Sequence, residues 1–380
     1  MKGTSPRAWL RIAIVAVALT LLMAGTANAA DYNLYFGDLH SHTDYSDGTG
    51  TPMDAYSAAF EAAKDGEVDF FGTTDHNHYG YGTGWMTADN WADTLAVADL
   101  FNRGPLVTLP GYELWLPSIG EMNIIGTTEW FGQVVNPAGH GFNNGVRGAV
   151  KVVPDLYDWL AANGASAQWN HPGLYGAQGG SPLVNFYAFG YRTPERDQAV
   201  NRIEVWNEDV YEWAYIEALD AGWNVLPSAN SDTHDPNWVT GCDVRTVLLA
   251  EELTRDALLE AMRESRGYAT EDKNLEIRYT VDGAVMGSTL DKDEGRDGYV
   301  ARVEVHDPDG AADAVKLIEI VADGGEVVAT SPAFNSADGT WVQALPSSAA
   351  RYYWVRVTTA SDFWGNPGVT AWTAPVWTER

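Results

Sequence analysis

Between Tyr35 and Arg266, short apolar runs alternate with longer amphipathic ones, and no other feature constrains the fold as tightly. The short runs Leu34–Leu39, Val68–Thr73, Leu106–Tyr112, Met122–Gly126, Ser166–Trp169, Arg202–Trp206, Val225–Ala229 and Arg245–Leu249 read as strands. Helices are expected between them, over Pro52–Lys64, Ala88–Asn102, Pro154–Asn163, Tyr211–Ala221 and Thr254–Arg263. Thr51-Pro52 offers an N-cap followed by proline in the first turn, and Thr254 caps the last helix. Strands separated by helices imply parallel βα units. Their number points to a closed barrel, with an open sheet as the alternative. A chain of 380 residues with 45% hydrophobic and 12% aromatic content can bury a sizeable core and leaves little room for disorder.

After about Asn274 the texture changes. Seven short β-like runs follow, separated by turn clusters such as Asp307-Pro-Asp-Gly310 and Asp323-Gly-Gly325. They predict a small C-terminal β-sandwich. At the other end, Lys2, Arg7 and Arg11 precede an apolar run from Ile12 to Ala24 and an Ala27-x-Ala29 step. This reads as a secretory signal peptide, too short for a comfortable membrane span. The expected division is therefore a signal peptide over 1–30, an α/β barrel over 31–272 and the sandwich over 273–380. The mature chain is expected to be secreted or periplasmic, with no stable membrane association. Losing the three basic residues takes the net charge from −29 to −32, which argues against a nucleic-acid partner. The one cysteine, Cys242, allows no internal disulfide and is expected to be a small buried hydrophobe.

Five motifs close predicted strands: Asp38-Leu-His40-Ser-His42 with Asp47 beyond it, Asp75-His76-Asn77-His78, Gly111-Tyr-Glu113, Asn170-His171-Pro172, and Asp232-Thr-His234. Residues two apart on a strand share a side, so His40 and His42 can serve one metal. Any single pair reads as well as buried, hydrogen-bonded histidines. Five such strand ends together make that reading poor. Strand carboxyl ends are where α/β barrels build active sites, and mixed imidazole–carboxylate ligation suits Zn, Mn or Fe and activates water.

In this order the motifs resemble the PHP (polymerase and histidinol phosphatase) metallohydrolases. Gly37-Asp-Leu-His-Ser-His-Thr-Asp-Tyr-Ser-Asp-Gly48 looks most like their secreted branch, which includes carbaryl-hydrolase-like enzymes. The resemblance implies a distorted β/α barrel holding two or three divalent metal ions. It implies that His40, His42, Glu113 and Asp232 hold one metal, and that Glu113 bridges to a second held by His171. Asp47, His76 and His234 would hold a third, with Asp75 orienting a ligand or the attacking water. The chain departs from the family where Gly120-Glu121-Met-Asn123 replaces the expected Gly-His-x-Asn; Glu121 is expected to stand in for the histidine ligand, the alternative being a second metal that is weak or absent. His78 lies outside the implied ligand set and is expected either to touch substrate or leaving group, or to be an ordinary loop histidine. The implied activity is hydrolysis of an ester bond, phosphoester or carbamate/carboxyl ester, in a small molecule. Arg192 and Arg245 are candidate anion clamps, although basic residues are scarce near the motifs. The alternatives are an amidohydrolase-type enzyme, for which Lys151 is the one lysine between Lys64 and Lys273, and a non-catalytic metal- or solute-binding exported protein.

Overall fold

The computed structural model describes residues 32–77, 86–116, 119–131, 145–173, 184–291, 298–310, 314–346, 350–360 and 368–378. The first half forms strands β1 (Asn33–Asp38), β2 (Phe70–Phe71), β3 (Val107–Thr108), β4 (Gly111–Leu116), β5 (Gly120–Ile125), β6 (Ser166–Asn170), β7 (Val200–Asn207), β8 (Asp209–Val210), β9 (Leu226–Ala229), β10 (Arg245–Ala250) and β11 (Gly267–Thr270). Helices α1 (Pro52–Lys64), α2 (Ala88–Phe101) and α3 (Gly145–Ala162) are followed by shorter helices Pro194–Ala199, Glu212–Asp220 and Arg255–Arg263. Helix α1 begins where the sequence predicts. Thr51 and Asp54 form a reciprocal capping box, and Pro52 occupies the first turn. Its buried side is mostly alanine, which lets it lie close against Phe71, Val97 and Ala98.

Two sheets make the barrel wall. In one, β1, β2 and β3 run parallel, while β10 lies antiparallel to β1 and β11 antiparallel to β10. In the other, β4, β5 and β6 are antiparallel, and β6, β7 and β9 are parallel. The mixed pairing departs from the parallel expectation: two connections carry no helix, and β5–β6 and β10–β11 pair antiparallel even though α3 and helix Arg255–Arg263 lie between them. β4 and β5 form a hairpin, and the long segment from Asn230 to Val244 leads into β10 without one. The expected strand Leu106–Tyr112 is broken at Pro110, which has no N–H to give a ladder. The sheets meet through the parallel bridges His76–Glu113 and Ser41–Thr233. The Thr246 hydroxyl, held between the Ala229 N–H (3.1 Å) and carbonyl (3.0 Å), ties β9 to β10.

The C-terminal part comprises β12 (Glu276–Val281), β13 (Ala284–Val285), β14 (Gly298–His306), β15 (Leu317–Val321), β16 (Val327–Thr330), β17 (Asp338–Pro346), β18 (Tyr352–Thr359), β19 (Gly368–Thr373) and β20 (Val376–Trp377). One sheet is β13-β12-β14-β17, and it packs Ile277, Tyr279, Val303 and Val305 against Ile318, Ile320, Val355 and Val357 of a second sheet. That second sheet is continuous with the barrel, because β19 pairs with β11. Its outer side rests on helix Glu212–Asp220. The Trp354 ring meets Tyr215 edge-on at 5.4 Å, and Arg356 and Trp372 Nε1 both reach the Glu212 carboxylate, at 2.8 and 2.7 Å. Trp341, Trp354, Trp372 and Trp377 are all buried, and Trp354, Trp372 and Trp377 brace the barrel through Tyr215, Glu212 and Asn224.

Candidate metal centre

The site grows from the carboxyl ends of the barrel strands. Beyond β1 the chain stays extended and is clamped to the segment after β9. Asp232 N–H donates to the His40 carbonyl (2.8 Å), His42 N–H to the Thr233 carbonyl (2.9 Å), and Trp238 Nε1 to the His42 carbonyl (3.0 Å). His40, His42, His76, Glu113, Glu121 and His171 are buried, whereas Asp47 and His234 have side chains 44% and 42% exposed.

Nine predicted ligands converge in four overlapping groups: His40, His42 and Asp232; His40, Glu113 and His171; His76, Glu113 and Glu121; and His42, Asp47, His76 and His234. Glu113 stands at the middle. Its Oε2 lies 3.4 Å from His40 Nε2, 3.5 Å from His42 Nε2 and 2.9 Å from His76 Nδ1, and its Oε1 lies 3.4 Å from His171 Nε2. Glu121 Oε2 is 3.2 Å from His171 Nε2, so the carboxylate that replaces the expected histidine points into the cluster. The outer group takes in His42, whose ring stacks on His234 at 4.2 Å, as well as the three residues the resemblance supplied.

The arrangement demands positive charge at its centre. His40 Nδ1 donates to Glu204 Oε1 (2.8 Å), which leaves Nε2 facing Glu113 and Asp232 Oδ1 (3.2 Å). His40 Nε2 and Glu113 Oε2 are buried yet make no hydrogen bond. Buried carboxylates facing bare imidazole lone pairs are stable only around a cation or a proton. Without a metal, protons fill that role. Burial pulls the imidazoles down, but the surrounding carboxylates outweigh it. Asp232, Glu204 and Glu113 hold His40 well above its usual range, Glu113 and Asp47 push His76 up to about 9, and Glu113, Glu204 and Asp232 push His171 to about 9. Burial raises the Asp47 carboxyl, but His234, His76 and His42 bring it down to about 2. Against the opposing effect of burial, His40, His76 and His171 keep Glu113 well below the usual carboxylate range, and His40 and His42 do the same for Asp232. The imidazole–carboxylate set and its unpaired central atoms fit divalent cations such as Zn, Mn or Fe.

Three expected roles change. The Asp75 carboxylate accepts from Thr43 N–H (2.6 Å), Thr43 Oγ1 (2.7 Å) and Ser46 Oγ (2.7 Å), so it braces the 43–46 turn. It touches His42 only through Ser46 and does not face the cluster. Arg245 is spent on the carbonyls of Glu67, Val239, Cys242 and Val244, and Arg192 pairs with Asp197, so neither clamps an anion at the cluster. His78 lies outside the described residues. Cys242 is half-buried on a groove wall, and burial pushes its thiol up to about 12. That groove, of about 470 Å³, is lined by Trp206, Glu208, Asp235, Asn237 and Cys242 and opens onto Asp232 and His234, with no lysine or arginine among its described walls.

The sequence reading missed a polar floor beneath the cluster: Glu204, Gln168, Asn170, Asn207 and Asn230. Asn170 Nδ2 donates to Glu113 Oε1 (2.6 Å), and Gln168 Nε2 donates to both Asn170 Oδ1 (3.0 Å) and Glu204 Oε1 (3.1 Å). The available signal was in β7, which places charged Arg202 and Glu204 two apart in a strand buried along its whole length.

No family model and no curated protein matches the chain. Among solved structures it is similar to a two-domain protein from Bacteroides vulgatus containing a predicted PHP-like metal-dependent phosphoesterase, at 18% identity and a TM-score of 0.48 over 91% of this chain and 97% of that one. PsfC from Pseudomonas syringae is similar at 16% identity and a TM-score of 0.36, over 60% of this chain and 87% of that one. The lesion-specific endonuclease PfuEndoQ from Pyrococcus furiosus is similar at 12% identity and a TM-score of 0.35, over 61% of this chain and 56% of that one. At this level the likenesses identify neither family nor reaction, and both must be argued from the side chains.

Proposed function

We propose that the chain is a metal-dependent hydrolase of the PHP type that cleaves an ester bond in a small molecule. What carries this reading is the centre of the cluster, where His40 Nε2 and Glu113 Oε2 lie buried and without hydrogen bonds among converging ligands. His40, His42, Glu113 and Asp232 would hold one divalent cation, Glu113, His171 and Glu121 a second, and Asp47, His76, His234 and His42 a third. Cations so placed lower the pKa of water and stabilise negative charge that develops on an attacked ester. The protein's own part is to hold the ligands in register, to exclude water from the inner groups by burial, and to present substrate along the groove past Trp206 and Cys242. The described groove walls carry Glu208 and Asp235 and no lysine or arginine, which favours a neutral or singly charged ester over a dianionic phosphate monoester. The reading extends to the secreted, carbaryl-hydrolase-like branch through the Gly37–Gly48 motif, and to export with loss of the first 29 or 30 residues. No helix among the described residues is long and apolar enough to cross a membrane.

The test is metal content per chain together with turnover of p-nitrophenyl phosphate, bis-p-nitrophenyl phosphate and a 1-naphthyl carbamate. Two or three metals with selective turnover of one ester supports the proposal and names the bond. Metal-loaded protein inert toward every ester and amide tried would favour a binding protein. Turnover confined to amides would favour the amidohydrolase alternative.

A further inference from the structure

Glu204 is fully buried on β7, and five groups donate to it. Its Oε1 accepts from His40 Nδ1 (2.8 Å), Asn230 Nδ2 (3.0 Å) and Gln168 Nε2 (3.1 Å). Its Oε2 accepts from the His171 N–H (2.7 Å) and from Asn207 Nδ2 (3.0 Å). We propose that Glu204 is the positioning residue of the cation cluster, one carboxylate that aligns the buried candidate ligands His40 and His171 from behind. The proposal rests on the reading of the cluster as a divalent-cation site.

Each connection has its own effect. On His40, the bond fixes the proton on Nδ1 and the plane of the ring, so Nε2 presents its lone pair to the cluster; a carboxylate behind an imidazole also raises its basicity as a ligand. On His171, the bond holds a backbone that a histidine seldom adopts, with φ of 23°, and so sets where the side chain starts. Asp232, also at positive φ (50°), is reached through Asn207, whose Nδ2 lies 3.0 Å from Glu204 Oε2 and 3.2 Å from Asp232 Oδ2. A fourth path runs through Gln168 and Asn170 to Glu113. Since every partner is a donor, only a group that accepts at both oxygens satisfies them all. Glutamine at this position fails in either amide orientation. Its NH₂ faces His40 Nδ1, Asn230 and Gln168 one way, and the His171 N–H and Asn207 the other.

The experiment compares wild type, Glu204→Gln, Glu204→Asp and Asn207→Ala. Zn²⁺ affinity is measured by chelator competition, the Co²⁺-substituted protein by visible absorption, and the metal-free fold by circular dichroism and thermal unfolding. Glu204→Gln is expected to bind Zn²⁺ about 10- to 100-fold more weakly, with a shifted Co²⁺ spectrum and a retained metal-free fold. Glu204→Asp should recover part of the affinity. Asn207→Ala, which leaves Glu204 in place, should shift the Co²⁺ spectrum by a smaller amount and keeps the proposal testable if Glu204→Gln does not fold. Wild-type Zn²⁺ binding with Glu204→Gln within threefold of it overturns the proposal alone, as does an Asn207→Ala Co²⁺ spectrum identical to wild type. A wild type that binds no divalent cation overturns the functional reading, and this proposal with it.

Discussion

Metal uptake should be strongly coupled to proton release, and the extent follows from the cluster's geometry. His76 and His171 are raised to about 9 in the metal-free protein because Glu113, Asp47, Glu204 and Asp232 crowd them more than burial opposes them. At pH 7 such groups lie about two units below their midpoints, so each is protonated roughly 100:1. A metal that takes either nitrogen must first displace that proton, at about 2.7 kcal/mol each relative to a pH above 9. The carboxylates give nothing back, since Glu113, Asp232 and Asp47, the last at about 2, are already ionised. The sign is therefore fixed: a raised histidine pKa makes binding tighten as pH rises and level off near 9. His76 and His171 serve different cations, so one proton is displaced at each, and the apparent dissociation constant of each of these two sites should fall about 10-fold per pH unit between 7 and 8. Isothermal titration calorimetry with Mn²⁺, in two buffers of different ionisation enthalpy at pH 7, counts the protons directly. A count near zero, or an affinity flat from pH 6.5 to 8.5, would refute the premise that these imidazoles face the carboxylates and serve as ligands.

Glu121→Ala should lose close to one metal per chain by elemental analysis while the rest stay bound; unchanged content would remove Glu121 from the ligand set. Trp354→Ala opens the seam between β18 and helix Glu212–Asp220 and should destabilise the protein by about 3–5 kcal/mol in urea, with metal content unchanged. Thr51→Ala removes the capping box of α1 and should cost about 1 kcal/mol in the same assay. At matched leaving groups, kcat/KM should be higher for a neutral ester than for a phosphate monoester dianion, and the reverse order would show that the acidic groove does not select by charge.

The convergence of the candidate ligands was legible because metal chemistry restricts residue type as well as position. His40 and His42, Asp232 and His234, and Glu113 at a strand end each carry a local signal that survives without neighbours. Strand existence was legible for a similar reason, since β-branched and aromatic runs between turn residues leave few other readings. Pairing was not. Whether β10 lies parallel or antiparallel to β1 depends on where the connection after Asn230 returns, and that segment holds ligands instead of a helix. The continuity of β11 with β19 was hidden because the two strands are separated by the whole C-terminal part. Asp75 shows what adjacency alone leaves open. It sits next to His76 beyond the end of β2, and its carboxylate faces Thr43 and Ser46, reaching His42 only through Ser46.

The polar floor was invisible for a deeper reason. Gln168, Asn170, Asn207 and Asn230 are common residue types whose meaning comes only from what they face. They line the barrel where an ordinary core would be aliphatic. Inside a barrel wall each buried amide must find partners, and here they find one another and the carboxylates of Glu113 and Glu204. The same contacts account for the left-handed backbone at His171 and Asp232, because both residues are bonded into this floor or to β1. The candidate ligands come from both halves of the wall, His40 and His42 from beyond β1, Glu113 and Glu121 from β4 and β5, and His171 from just past β6. Between those halves the described bridges are few and lie at the site itself. Bringing the two halves together therefore buries the cluster's carboxylates at their junction, where their charge has to be met by protons or cations.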